Sequence, residues 1–362
     1  MTSPSPSLAQ TIAREIGTPC AVIDLDRVER NIARFQERCQ EAGIAARPHV
    51  KTHKSPVIAR MQQAAGARGI TCQKLGEAEI FAEAGFRDIL ISYNILGEEK
   101  VGRLARLAGR AEPIVAADNP VTVAAVSQAA AQAGRTLPIV IECDTGRKRA
   151  GVETPAEATA LMEAIKAAGN LDFAGFLLYP PESGVEAAQA FLDEASAGAR
   201  SLGLAPRIVS TGGTPNLHDL GRIAGTTEHR AGTYVFNDRM MMAAGVATLE
   251  DCALTVVSTV VSRGGPARGI LDAGSKTLSS DTGKLDGFGL ILEYPQARIH
   301  AFAEEHGFLD LSRCPSLPQV GEVVSIVPNH VCVVVNLMDR LVTTRGGKIT
   351  GEIAVEARGR IS

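Results

Sequence analysis

The stretch Ala46-Arg47-Pro48-His49-Val50-Lys51-Thr52-His53-Lys54 decides how this chain is to be read. As a β-strand it alternates its side chains, so Arg47, His49 and Lys51 share one face while Val50 packs on the other. A lysine at the end of such a strand reaches into a pocket. There, desolvation and nearby cations lower its pKa toward that of a nucleophile or a Schiff-base amine. The same letters also describe a basic, solvated turn after a strand. The rest of the chain separates the two readings.

Outward from the run at residues 44–51, apolar strand-like runs recur at 69–73, 88–93, 113–117, 137–143, 171–179, 207–210 and 229–236. Ala-rich amphipathic stretches lie between most of them, as at 119–133, 155–168 and 185–202. Strands alternating with helices at a repeat of about 25 residues match a (β/α)8 barrel, with an open doubly wound sheet as the rival. A barrel requires polar residues and glycines at its C-terminal strand ends. Lys51, Gln73, Asn94, Asp118, Asp144 with Arg149, Tyr179, Thr211-Gly212-Gly213-Thr214 and Gly232-Thr233-Tyr234 stand at or just past the runs. The last two turns follow the final two runs, where barrels bind phosphate through backbone N–H groups and hydroxyls. Before the first of these runs, residues 19–25 read as a strand, and Asp26 as the cap of a helix carrying Val28, Ile32 and Phe35.

Beyond Met242 the texture changes. β-branched runs at 253–261, 269–272, 322–327, 331–337 and 340–344 are separated by Gly, Pro and Asp, which predicts an antiparallel β domain joined by the early strand. The expected division is a barrel at 26–245 and a β domain at 246–362 with 1–25. Within the latter, Pro328-Asn329-His330-Val331-Cys332 carries chemistry. In an extended chain His330 and Cys332 share a face, and imidazole with thiolate suits zinc; a buried cysteine beside a hydrogen-bonded histidine is the alternative. Two protein ligands leave positions for water or substrate, which a catalytic ion requires.

Net charge is −3, from 37 basic and 40 acidic side chains, a balance that points away from nucleic acid and membrane surfaces. The seven cysteines are scattered without a C-x-x-C pair, as expected of reduced thiols in a cytoplasmic protein. Residues 1–10 are Ser/Pro-rich with no charged start or apolar centre, and no apolar run is long enough for a bilayer.

The lysine segment, the Thr211-Gly212-Gly213-Thr214 turn and the His330-Val331-Cys332 segment followed by Asn336-Leu337 resemble, in this order, the D-threonine aldolase and D-serine dehydratase family of fold-type III pyridoxal-phosphate enzymes, relatives of alanine racemase. The likeness covers residues 18–360. It implies an N-terminal barrel, a C-terminal β domain, a homodimer, Lys51 as the lysine that binds the cofactor aldehyde, and a divalent metal, zinc first with manganese or magnesium as alternatives, at His330 and Cys332. It also places Gln73, Arg149, Tyr179, Thr211, Gly212, Gly213, Thr214, Arg230, Gly232, Thr233 and Tyr234 around pyridoxal phosphate. Arg230 has the strand parity of Gly232 and Tyr234, which aims it at the cofactor ring nitrogen; an ion pair with Glu228 is the competing reading.

The resemblance implies a lyase acting on a β-hydroxy-D-amino acid. Family dehydratases resemble H-x-C at the metal pair and aldolases H-x-D, so Cys332 favours dehydration. Tyr179-Pro180-Pro181-Glu182 stands where aldolases resemble a histidine-bearing loop. Retro-aldol cleavage is the alternative. A racemase would need a second base, for which Tyr294 is the β-domain tyrosine available. A barrel-only cofactor carrier does not account for the β domain, and a sugar-phosphate barrel enzyme would follow if neither cofactor nor metal bound.

Overall fold

The computed structural model describes residues 7–362, so part of the Ser/Pro-rich start lies outside the described residues. The chain divides into two compact units. The first strand, β1 (Cys20–Asp24), belongs to the unit described second.

One unit comprises residues 33–51, 56–232 and 360–362. Its strands are β2 (Ala45–Ala46), β3 (Ile70–Cys72), β4 (Asp88–Ile91), β5 (Glu112–Ala117), β6 (Leu137–Cys143), β7 (Leu171–Leu178), β8 (Ile208–Thr211) and β9 (Glu228–His229). They run in the order β2-β9-β8-β7-β6-β5-β4-β3, all parallel. The ring closes just past β2, where His49 bridges Thr71 of β3. Val50 N–H donates to Thr71 O at 2.9 Å, and Thr71 N–H to Pro48 O at 2.8 Å. That closure makes the sheet a barrel rather than an open sheet.

Two expected strands are shorter than their apolar runs. β2 stops at Ala46, and Pro48 has no N–H to give a ladder. β9 stops at His229; Gly232 N–H goes to the Thr214 hydroxyl at 3.2 Å, and Thr233–Val235 forms a 3-10 turn. The outer helices start on local caps. Asn119 Oδ1 accepts Thr122 N–H at 2.9 Å ahead of Pro120–Ala133, and Thr154 with Glu157 forms a capping box ahead of Pro155–Ala168.

Arg47 is 1% exposed. Its Nε donates to Glu228 Oε2 at 2.7 Å and its fork to Asp88 at 2.6 and 3.1 Å, while Ser210 Oγ holds the other Glu228 oxygen at 2.7 Å. Asp88 and Glu228 begin their strands, so Arg47 plugs the N-terminal end of the barrel.

The other unit gathers residues up to Ile32, Thr52–Ser55 and Thr233–Gly359. It adds β10 (Leu254–Gly264), β11 (Arg268–Leu271), β12 (Leu290–Ile291), β13 (Arg298–Phe302), β14 (Gly307–Asp310), β15 (Val323–Val327), β16 (Arg340–Arg345) and β17 (Lys348–Ala354). The main path is β13-β14-β11-β10-β1-β16-β17, with β15 on β10 and β12 on β15. All its pairings are antiparallel except β1 with β16. Ala9, Ile12, Val22, Val257 and Val342 form a core cluster in it.

Two local expectations are corrected here. Val331–Leu337 is a helix, not a strand: Val331, Val334 and Val335 are buried at helical spacing, and Asp238 Oδ2 caps it by accepting Val331 N–H at 3.0 Å. Tertiary burial and this distant cap override the strand preference of four valines. Likewise Asp24, not Asp26, caps Leu25–Glu41, its Oδ1 accepting the N–H groups of Asp26 and Arg27 at 3.0 and 3.3 Å.

Candidate active site

Lys51 lies at the C-terminal end of the barrel strands, beside Gln73. Its Nζ donates to Gln73 Oε1 at 3.3 Å, and His49 Nε2 lies 3.2 Å from the same oxygen. Gln73 Nε2 donates to Ser92 O at 3.0 Å, which fixes the amide with Oε1 toward Lys51. An amide oxygen only accepts, so His49 donates from Nε2 and carries its lone pair on Nδ1. That Nδ1 is buried and has no hydrogen-bond partner. Burial first, then the charges of Lys51 and Arg230, hold the His49 pKa well below its ordinary value, so the ring is neutral.

Arg230 is 5% exposed; Nη2 donates to Leu178 O at 3.0 Å and Nη1 has no partner. The expected competitor for it, Glu228, is engaged by Arg47 and Ser210. Burial brings the Arg230 pKa down to about 10, still cationic at neutral pH. Tyr179 lies under two guanidiniums, with Arg147 and Arg149 carbons 3.8 and 5.2 Å from its ring centre. Arg149 also lies 3.6 Å from Glu142, whose pKa burial raises.

The Thr211-Gly212-Gly213-Thr214 turn is built for backbone approach. Gly212 has φ +70°, and a Cβ there would lie 2.0 Å from His229 Cε1. At Gly213 a Cβ would meet the Tyr179 ring at 2.8 Å. His229 Nε2 donates to Gly213 O at 3.1 Å, and the Thr214 hydroxyl holds Gly232 N–H. A lysine beside a fixed amide, an unpartnered imidazole nitrogen, an unpartnered guanidinium N–H and a glycine turn fit pyridoxal phosphate in kind: an aldehyde, a polar ring and a phosphate.

In the other unit, His330 precedes the helix Val331–Leu337 and Cys332 lies in its first turn, so the pair is not on an extended chain. Cys332 nonetheless acts on His330, raising its pKa. Cys332 Sγ lies 3.2 Å from Thr52 Oγ1 and 3.6 Å from Thr233 Oγ1, and His330 Nδ1 lies 2.6 Å from Asp281 Oδ2. Burial lowers the His330 pKa, but Cys332, Asp281 and Asp238 outweigh it and raise it to about 9. Among the described residues no group of three or more His, Cys, Asp or Glu is arranged to hold an ion. A nitrogen and a sulfur donor alone fit a divalent ion that keeps open positions.

Tyr234 is buried in the Thr233–Val235 turn, its carbonyl held by Asn237 at 3.0 Å. Tyr294 donates its hydroxyl to Glu322 at 2.5 Å, and its pKa is raised, first by burial, to about 12, so at neutral pH it stays protonated and is not available to take a proton. All seven cysteines are free thiols, and burial pushes Cys39 and Cys252 up to about 12. No helix of the described residues is long and apolar enough to cross a membrane. Sequence reasoning left two partners unassigned. His49 was visible in the lysine stretch without its bond to Gln73, and Asp281 gave no signal.

The alanine racemase N-terminal domain model matches residues 23–240, and a putative serine dehydratase domain model matches 253–344. D-threonine aldolase of Arthrobacter sp. is 34% identical over 98% of this chain and 96% of its own. D-threo-3-hydroxyaspartate dehydratase of Delftia sp. (strain HT23) is 35% identical over 88% of this chain and 91% of its own. The crystal structure of D-threonine aldolase from Filomicrobium marinum superposes with a TM-score of 0.87 at 31% identity, covering 95% of this chain and 96% of that one. Fold and matches define a pyridoxal-phosphate lyase built on an alanine-racemase-like barrel with a β domain. The chain belongs to the D-threonine aldolase and D-serine dehydratase family.

Proposed function

We propose that the protein is a pyridoxal-phosphate- and metal-dependent dehydratase of a β-hydroxy-D-amino acid, of the D-serine or D-3-hydroxyaspartate type, acting as a homodimer. Lys51 holds the cofactor aldehyde. Gln73, Arg149, Tyr179, Arg230, the Thr211 to Thr214 turn and Gly232, Thr233 and Tyr234 bind the rest of it. When bound, pyridoxal phosphate supplies an electron sink for charge at Cα, and a divalent ion, zinc first, supplies Lewis acidity at the leaving hydroxyl.

Lys51 Nζ moves the Cα proton, and Gln73 Oε1 orients that amine. Neutral His49 keeps Gln73 in place without adding a positive charge beside Nζ. Arg230, cationic and with a bare N–H, keeps a neighbouring ring nitrogen from gaining a proton. Loss of the Cα proton and the β-hydroxyl releases water and an enamine, which hydrolyses to a 2-oxo acid and ammonia.

The observation that carries dehydration over cleavage is the donor pair: an imidazole and a thiol whose sulfur is held by Thr52 and Thr233 hydroxyls, with the nearby carboxylate, Asp281, bonded to His330. Such borderline-soft donors suit zinc acting on a leaving oxygen better than the harder ion that cleavage favours. The aldolases among the relatives support the second reading, retro-aldol cleavage to glycine and an aldehyde.

The test is to incubate metal-loaded holoenzyme with D-serine, D-threonine and both D-3-hydroxyaspartate diastereomers, assaying ammonia, 2-oxo acid, glycine and aldehyde separately. Ammonia and 2-oxo acid in equal amounts are expected. Glycine and aldehyde without ammonia would replace this reading with the second.

A further inference from the structure

One carboxylate is fastened to Nδ1 of His330. Asp281 Oδ2 lies 2.6 Å from His330 Nδ1, and its other oxygen accepts Gly283 N–H at 3.0 Å. Asp281 N–H in turn donates to Ser279 Oγ at 3.1 Å. The loop is also tied to the residue before His330: Asn329 Nδ2 donates to Thr282 O at 3.3 Å and to Gly287 O at 2.8 Å, and Arg239 holds Asn329 Oδ1 at 2.6 Å. Ser279, Gly283 and Lys284 adopt left-handed φ values of 65°, 56° and 66°. A side chain at Gly283 would have its Cβ 2.6 Å from Met240 Sδ. Non-glycine residues persist in that conformation only where their surroundings over-determine it.

We propose that Asp281 is the positioning residue of the metal pair, holding His330 with its proton on Nδ1 so that Nε2 offers its lone pair beside Cys332 Sγ. This rests on the reading of His330 and Cys332 as metal donors. The ring nitrogen that binds a metal is set by the hydrogen bond the other one makes, and a carboxylate there both fixes the ring and raises ligand basicity. Fold stability does not account for the contact. The Asp281 side chain is 41% exposed, and a half-exposed pair of this kind contributes little to folding. The loop's strain and its ties to Asn329 instead serve to bring one carboxylate to one nitrogen.

Holoenzyme is prepared as wild type, D281A, D281N and C332A. Zn²⁺ affinity is measured by competition with a chromophoric chelator, and Co²⁺ spectra are recorded for the sulfur-to-metal charge-transfer band and the ligand-field bands. D281A is expected to weaken Zn²⁺ binding roughly 10–100-fold. D281N, whose amide oxygen still accepts from Nδ1, recovers a clear part of that loss, and the sulfur band persists in both. Circular dichroism matching wild type shows both variants folded. D281A binding within about twofold of wild type overturns the proposal. So does D281N no tighter than D281A; altered Co²⁺ ligand-field bands would then make Asp281 a direct ligand. If C332A leaves wild-type Zn²⁺ binding unchanged, the metal reading itself falls, and this inference with it.

Discussion

Arg47 and Glu228 form an ion pair at 2.7 Å with side chains 1% and 0% exposed, inside the barrel and away from Lys51. A buried pair is costly to break because the survivor is left charged and dry. Arg47→Met is expected to lower unfolding free energy by roughly 3–5 kcal/mol in urea titrations. Adding Glu228→Gln to it should restore part of the loss; a double variant no more stable than the single one would contradict the pairing.

His229 sets an acid limit. Burial holds its pKa at about 4, against 6.5 for a free imidazole. Between those values the unfolded chain binds the proton and the native one does not, so stability is complete above 6.5 and is lost as pH falls toward 4. The loss is on the order of 3 kcal/mol for this residue, and His49 adds to it in the same direction. His229→Asn should flatten the pH dependence of Tm in that window while lowering Tm at neutral pH.

Gly212→Ala should damage cofactor binding more than folding. The left-handed backbone alone costs about 1–3 kcal/mol, and the new methyl displaces His229 from Gly213. Fluorescence titration with pyridoxal phosphate is expected to show at least tenfold weaker binding. Unchanged affinity would take the phosphate role away from this turn.

Lys51→Ala should bind pyridoxal phosphate only reversibly and lose the visible absorption of the bound cofactor. Gln73→Leu should keep that absorption but shift its pH dependence, because Lys51 loses its acceptor at 3.3 Å. A spectrum in Lys51→Ala indistinguishable from wild type after dialysis would move the cofactor to another amine.

How much was legible follows burial. β6 begins and ends where its apolar run does, at Leu137 and Cys143, because a parallel strand covered on both faces is apolar throughout. β13 and β17 escaped notice because they are the two ends of their sheet's path, where half-exposed strands carry Arg, His, Lys and Glu. The helix at Val331–Leu337 was hidden by its valines; its cap, Asp238, lies far back in the sequence. At the site, order along the chain put Lys51, Gln73 and the glycine turn at strand ends. It could not pair His49 with Gln73, nor bring Asp281 to His330 across 49 residues, since a loop carboxylate has no periodicity to betray it.

The single bridge from His49 to Thr71 is the seam of the cylinder, and Lys51 stands two residues beyond it. An amine so placed has no fixed address until the seam is sewn. The colour that appears when a refolding sample is given vitamin B6 aldehyde therefore doubles as a gauge of whether the wall has joined. A weakened stitch, such as Thr71→Pro, would leave a chain with most of its helices and no tint.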